Sequence, residues 1–341
     1  MKLLTKFLNT FCYLKLLLSP LVSPELALSI KGNQIMEDST WVTHPLNIDA
    51  DSSLVVFNDN VHIFGQDVTN YGELFVSQIQ TSIIALGMTF LNYGNIYNYG
   101  TYILDVSITN TGSNVAFNGA KFLNEGKFYL NTKPNLIAPS YHNIWANDFV
   151  NKGFIYFAQS DLGGAGQVTL GKDATSSVVN FGTICINDNV FNQMATIQGN
   201  GCITAKETVK ISINRYTGCQ IFYLSSPDVS FAIAGTLPIT PVIRGLQKGS
   251  AINFPFITNT IYYDLVIGIL ETTGILTNNL QKVDVGPGLK SFEFENTGWL
   301  SFTVQYNGPG LSSGRPDICM PCGYFPICDV PDKSYSTIKH F

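Results

Sequence analysis

Seven copies of one short pattern punctuate the first two-thirds of the chain: an apolar residue, any residue, Asn, any residue, Gly, then a short apolar run. They centre on Asn70/Gly72, Asn92/Gly94, Asn98/Gly100, Asn110/Gly112, Asn124/Gly126, Asn151/Gly153 and Asn180/Gly182, with a degenerate eighth at Gly199-Asn200-Gly201. A unit this short cannot bury its apolar face alone, but stacked copies can. Two residues before each Asn the side chain is always apolar, from Val68 and Phe90 to Phe149 and Val178. Two and four residues after each Gly it is mostly apolar, and the residue directly after Gly is polar except at Phe154. Period-2 alternation of this kind is that of strands with one face turned to a core.

The Asn-x-Gly step reads as a bend, because Gly takes positive φ without penalty and Asn is the next most tolerant residue. Where such bends stack, buried Asn side chains can bond to the rungs above and below. Simple hairpins are the competing reading. They favour adjacent Asn-Gly, whereas here a freely varying residue intervenes: Tyr71, Tyr93, Tyr99, Thr111, Glu125, Lys152 or Phe181. The uneven spacing of 22, 6, 12, 14, 27 and 29 residues suits coils that extrude loops of different length, with Asn131 to Ala146 as one such loop. The predicted fold is all-β, a parallel β-helix (solenoid) over 30–225 followed by a small antiparallel β-sandwich-like domain over 226–310. The sandwich rests on Pro227, Pro238, Pro241 and Pro255 and on short alternating strands at Val229–Ala234, Ile261–Leu270, Ser291–Phe294 and Leu300–Tyr306. Residues 311–341 are rich in Pro and Cys and read as irregular.

Residues 1–29 differ from the rest. Lys2 and Lys6 precede an apolar stretch from Phe7 to Leu28 that Lys15, Pro20 and Pro24 interrupt. That is too broken for a membrane span and fits a secretory signal cleaved near Ala27 to Ser29. Removing Cys12 with it leaves an even set: Cys185, Cys202, Cys219, Cys319, Cys322 and Cys328. Cys185 and Cys202 lie at odd offsets from their bends, and adjacent rungs lie about 4.8 Å apart. A Cys185–Cys202 bridge is therefore predicted, with Cys219 paired to one of the terminal three. Cys319-x-x-Cys322 with Cys328 and His340 also has zinc-like spacing, but oxidised thiols are the reading that secretion favours, and no metal or cofactor is assigned.

A net charge of -5 with no Lys/Arg cluster argues against nucleic-acid binding. Catalysis is not indicated either. The four His lie outside any nucleophile motif, and Asp148, Asp161, Asp173 and Asp188 are spread one per coil or loop. Three residues after Gly, an outward row runs through Phe75, Tyr97, Tyr129 and Tyr156. It is a candidate contact surface, unless an extruded loop or the second domain covers it, which is the simpler reading.

Several segments together resemble a known family. They are the units Phe122 to Leu130 and Phe149 to Phe157, the paired elements Asn180 to Ile186 and Ile197 to Thr204, Val283 to Gly288, Val304 to Pro309, and the Cys319/Cys322 end. Over residues 30 to 330 the chain resembles the N-terminal domain of the hyphally regulated cell wall proteins of yeasts, a set of adhesin-like GPI-anchored wall proteins. The resemblance implies a right-handed β-helix with a β-sandwich-like subdomain. It also implies secretion, display at the fungal wall, and adhesion, biofilm or host contact in virulence, with no catalytic motif. Family members usually continue into a Ser/Thr-rich stalk and a GPI signal, whereas this sequence ends at Phe341. The expectation is a monomeric, non-catalytic adhesin-like module. Its expected partners are wall polysaccharide or a host or abiotic surface, and any membrane link is through a GPI anchor. A structural wall protein without a specific ligand and a β-helix lyase or hydrolase are the alternatives.

Overall fold

The computed structural model describes residues 27–37, 41–57, 61–77, 89–107, 112–133, 139–159, 166–235, 237, 240–256, 258–274, 280–289, 292–295, 301–309, 314–323, 325–326 and 336–338. The expected signal segment, apart from residues 27–29, lies outside the described residues, as do Asn110, Asp161, Cys328 and His340. Strands from successive coils pair in parallel and build three sheets. The first sheet holds Leu28–Ile30, Leu46–Ile48, Val68–Asn70, Ile96–Asn98, Lys121–Asn124, Asp148–Asn151, Ser177–Asn180 and Thr196–Gln198. The second begins its coils at Asn33–Glu37 and the third at Trp41–Val42. As far as Lys210–Ile213 the chain visits first, second and third sheets in turn, so each of these coils contributes one strand to each, which is the topology of a β-solenoid; later coils add strands only to the second and third sheets.

The interior is apolar and aromatic. Phe122 and Phe149 of the first sheet stack face to face with centroids 5.1 Å apart. Tyr102 and Phe128 of the second sheet and Phe90 and Phe117 of the third fill the same core at under 2 % exposure. The alternation assigned all of these to the core except Phe117; after Gly112 the parity is reversed, with Asn114 exposed and Val115 and Phe117 buried.

One column inside this core is polar. Asn70, Asn98, Asn124, Asn151 and Asn180 are aligned in successive strands of the first sheet and fully buried. Each Nδ2 donates to the next Asn Oδ1, at 2.8, 2.7, 2.8 and 2.8 Å in chain order. The second proton of each goes to a carbonyl of the following coil, as in Asn98 Nδ2 to Lys127 O at 3.0 Å. The ladder opens at Asn70, whose Oδ1 has no partner because the preceding coil offers Ile48 at that place. It closes on Gln220, which accepts from Asn180 Nδ2 at 2.7 Å and donates to Asn180 O and Gln198 O. The degenerate eighth copy explains this closure. Gly199 follows Gln198, which pairs with Val179, so it stands at the place of an Asn and leaves room for the longer Gln220 to reach across.

The paired glycines are required by stacking rather than by φ. Among Gly72, Gly100, Gly126, Gly153 and Gly182, none has a left-handed backbone, which corrects the sequence expectation. A Cβ on Gly126 would lie 2.0 Å from Gly100 O, and one on Gly153 would lie 2.0 Å from Gly126 O. The bends sit directly on one another, and only a hydrogen fits between them.

Parallel pairing does not stop at residue 225. Ile221–Leu224 pairs with Val242–Arg244 in the second sheet, and Ser230–Ile233 pairs with Ala251–Phe254 in the third. The strand expected at Val229–Ala234 therefore belongs to the solenoid and not to a separate sandwich. Antiparallel pairing begins later and extends the two sheets. Thr258–Tyr263, Ile269–Gly274 and Leu280–Asp284 extend the second, and Phe292–Glu295 and Phe302–Tyr306 extend the third. Proline misled the sequence reading here, because Pro227, Pro241 and Pro255 fall between strands, where a missing N–H costs nothing. The expected loop Asn131 to Ala146 carries strand at two places, with Asn131 and Thr132 ending one strand and Tyr141–Ile144 forming another, while residues 134–138 lie outside the described residues.

The C-terminal segment turns back along the outer side of the second sheet. Cys322 is bonded to Cys185 and Cys319 to Cys202, with Cα–Cα distances of 5.6 and 5.1 Å. The predicted Cys185–Cys202 bridge is thus wrong. The outward facing was right, but Cys202 is in register with Thr183 and Cys185 with Thr204, so the two sulfurs are offset by two residues along the strands. The Cys-x-x-Cys spacing of the strap matches that offset. Cys219 is a free, exposed thiol, so its predicted pairing also fails. Beyond the disulfides, Met320 N donates to Thr183 Oγ1 and Phe325 packs on Tyr129 and Tyr156. Ser336–Ile338 then adds a parallel strand beside Asn33–Glu37, at the opposite end of the sheet.

Three outcomes test this architecture. Replacing Asn124 by Ala orphans Asn98 Nδ2 and Asn151 Oδ1 inside the core and should cost about 3 kcal/mol in urea unfolding. Asn70→Ala should cost clearly less, since its acceptor is already unpaired; equal costs would contradict the ladder. Gly126→Ala should lose about 2 kcal/mol or more, while Gly323→Ala, where an added Cβ meets nothing, should be silent. His142 is buried, stacked on Phe157 and bonded to Thr132 Oγ1 at 2.6 Å, and burial pulls its pKa down to about 3. A folded-state pKa below the unfolded one means full stability above pH of about 6.5 and loss as pH falls towards about 3. His142→Gln should flatten that part of the stability–pH curve.

Candidate binding face

The second and first sheets have different outer sides. On the second, Val55, Phe57, Phe75 and Ile103 form one apolar cluster, and Phe154, Tyr156, Ala158 and Cys185 form another, with Tyr129 and Phe325 packed against both. Phe75 and Tyr156 are 8 % and 3 % exposed. Three of the four residues predicted as an outward contact row, Phe75, Tyr129 and Tyr156, therefore do point outward, but they lie beneath the strap. Burial holds the Tyr156 hydroxyl up at about 12, with smaller contributions from Asp188 and Glu207.

Tyr97 belongs elsewhere. The copy at Asn92/Gly94 bends from the third sheet into the first, so its third residue after Gly falls on the first sheet. There Tyr97 heads a column of outward side chains in consecutive rungs, Tyr97, Leu123, Val150 and Val179, all partly exposed. The described contacts of the strap are with the second sheet, and no described cluster takes in this column.

Alternation puts two more outward residues beside each member of the column, one two residues before it and one two residues after. The later positions form the outer edge of the Asn-x-Gly bends. Tyr71 and Tyr99 stack there with centroids 4.9 Å apart and planes 8° apart. Next come Glu125 and Lys152, joined at 2.7 Å, and then Phe181, which is 46 % exposed. Burial, then Tyr71 and Glu125, hold the Tyr99 hydroxyl above its ordinary range, so it stays a neutral donor. The earlier positions run Asp67, Asn95, Lys121, Asp148 and Ser177. Asp67 Oδ1 accepts from Asn95 N at 2.8 Å, and Asn95 Oδ1 in turn accepts from Lys121 N at 2.8 Å. The face is therefore an apolar stripe between one polar margin and one margin of aromatics around an ion pair, and the Asn ladder directly beneath fixes its rows. Beyond Phe181 it opens into a shallow depression of about 500 Å³ lined by Phe181, Gln198, Asn200, Tyr216 and Cys219.

Of the four acidic residues weighed for catalysis, three lie among the described residues. Asp148 is on the margin of the first sheet. Asp173 is in the bend after Gly166–Leu170, with Thr175 bonded to its carboxylate. Asp188 is at the corner after Thr183–Asn187, with φ of 53° and its pKa raised chiefly by burial. Asp148 and Asp173 lie at the corner from the third sheet to the first in adjacent coils, whereas Asp188 lies at the corner from the second sheet to the third, so the three do not share one corner. Among the described residues no group of three or more His, Cys, Asp or Glu side chains gathers to hold a metal. The bend-edge column was not singled out from the sequence, although the varying residue inside each Asn-x-Gly step was the signal for it.

The family model described as hyphally regulated cell wall protein N-terminal matches residues 19–329. Hyphally regulated cell wall protein 3 of Candida albicans is 28% identical over 336 residues, covering 92% of this chain and 26% of the relative. Cell wall protein IFF6 of the same species is 31% identical over 240 residues, covering 64% and 22%. Adhesin AWP2 of Candida glabrata is 26% identical over 255 residues, covering 70% and 29%. The chain thus spans about a quarter of the length of these curated relatives. The match over nearly its whole length makes it a member of the hyphally regulated cell wall protein family, in the region of that family's N-terminal domain.

Proposed function

We propose that this chain is a non-catalytic module displayed at the fungal cell wall, and that it makes adhesive contact through the outer side of its first sheet. The observation that carries the reading is the column Tyr97, Leu123, Val150 and Val179, partly exposed and outside the strap's contacts among the described residues, on a rigid, hydrogen-bonded scaffold. Contiguous apolar surface of this kind marks contact sites, and a solenoid adds such surface rung by rung without needing a pocket. The names of the relatives, cell wall proteins and an adhesin, point the same way. Wall polysaccharide and host or abiotic surfaces are the partners in view. A specific observation favours a second reading. The strap buries the larger aromatic row of the second sheet, as a structural wall component without a ligand would have it.

The test is binding of the purified chain to immobilised glycans, matrix proteins and apolar plastic, with Leu123→Glu and Val150→Lys introduced singly. Saturable binding that falls at least about tenfold in either variant, with unchanged melting temperature, supports the adhesive face. Absence of binding to every surface favours the structural reading. Binding that both variants retain places the contact elsewhere.

A further inference from the structure

The margins of the face carry charges that fit a copy of the same face. Lys121 and Asp148 occupy one margin in adjacent rungs, and Glu125 and Lys152 occupy the other. Signs therefore alternate both along each margin and across each rung, a pattern that is its own complement. Resting on the adhesive reading above, we infer that the partner of this face is a second copy of the chain, docked face to face with the solenoid axes antiparallel.

The geometry follows from one symmetry operation. A two-fold axis parallel to the strands, passing between the Leu123 and Val150 rungs, sets each rung against the neighbouring rung of the other molecule. Lys121 then meets Asp148 of the second copy, and Glu125 meets Lys152 of the second copy. Along the stripe, Leu123 faces Val150, Tyr97 faces Val179, and Tyr99 at the margin faces Phe181. No like charges are opposed. The other isologous arrangement, with parallel solenoid axes, also opposes unlike charges, pairing Lys121 with Glu125. It wastes the aromatics, however, setting Tyr99 against Asn95 and Phe181 against Ser177. Matching apolar with apolar selects the antiparallel form. Antiparallel axes are also what two molecules adopt when they are held by the same end on facing surfaces. Charge complementarity at a margin sets register and partner choice more than strength. The pairing is therefore weak between free molecules and becomes firm when many copies are displayed together.

The experiment uses the full chain coupled densely to beads, with clumping scored against salt, beside binding to the surface panel above. Wild-type beads should clump at low ionic strength and disperse as salt rises. Lys121→Glu and Asp148→Lys should each weaken clumping about tenfold or more, since each reversal occurs twice per pair. Mixing beads of the two variants should restore it. Rescue of Lys121→Glu by Glu125→Lys in place of Asp148→Lys would overturn the antiparallel register. Wild-type beads that never clump, or variants that clump unchanged, would overturn the inference. If Leu123→Glu still abolished binding to the surface panel in that case, the adhesive face would stand without the homotypic partner.

Discussion

The asparagine ladder is the constraint on which the rest of the structure depends. A parallel stack held only by backbone bonds and apolar packing can slip, and a slip of one residue turns every side chain to the wrong face. A buried amide column removes that freedom. Each Asn must meet the Asn above and the Asn below, and any other alignment leaves donors and acceptors stranded in an apolar core. The glycines two residues on act in the same direction by geometry, because a hydrogen is all that fits between stacked bends. Together they fix register at one corner of every coil from Asn70 to Gln220.

That corner borders the face proposed as the contact surface. Rows of outward side chains are only as ordered as the strands beneath them, and here the strands are tied at the residue next to each row's edge. The second sheet is treated in the opposite way. Its outward aromatics are larger, and they are covered by a segment fastened with two disulfides that runs from Cys319 back to the first coils. The disulfides close loops with sequence separations of 137 and 117 residues, so they limit the unfolded chain as well as hold the cover. Among the described residues, one apolar face lies under the C-terminal segment and the other makes no contact with it.

Much of this was legible in the sequence. The alternation around Asn70, Asn98, Asn124, Asn151 and Asn180 identified strands, core side and the capacity of the amides to pair between rungs. The coil length was obscured because the same motif also occurs away from the ladder corner, as at Asn92 between the third and first sheets. With the Asn92 and Asn110 copies set aside, the ladder residues are separated by 28, 26, 27 and 29 positions, close to a constant coil. The same confusion merged Tyr97 with Phe75, Tyr129 and Tyr156 into one row. The disulfide partners were out of reach for a different reason. They join residues more than 100 positions apart, and local parity says which side a cysteine faces but not what lies over it. The continuation of the solenoid past residue 225 was hidden by prolines that punctuate corners rather than end the fold.

The most direct test of the account is a lysine-acylation footprint of the chain on its own and again when engaged with a binding surface. Lys121 and Lys152 flank the stripe on opposite margins, while Lys127 sits on the second sheet and Lys248 in a turn near the C-terminal end of the solenoid. The account expects protection at Lys121 and Lys152 together, with Lys127 and Lys248 labelled as before. Protection at Lys248 with Lys121 and Lys152 still reactive would contradict it, and would move the contact surface off the first sheet.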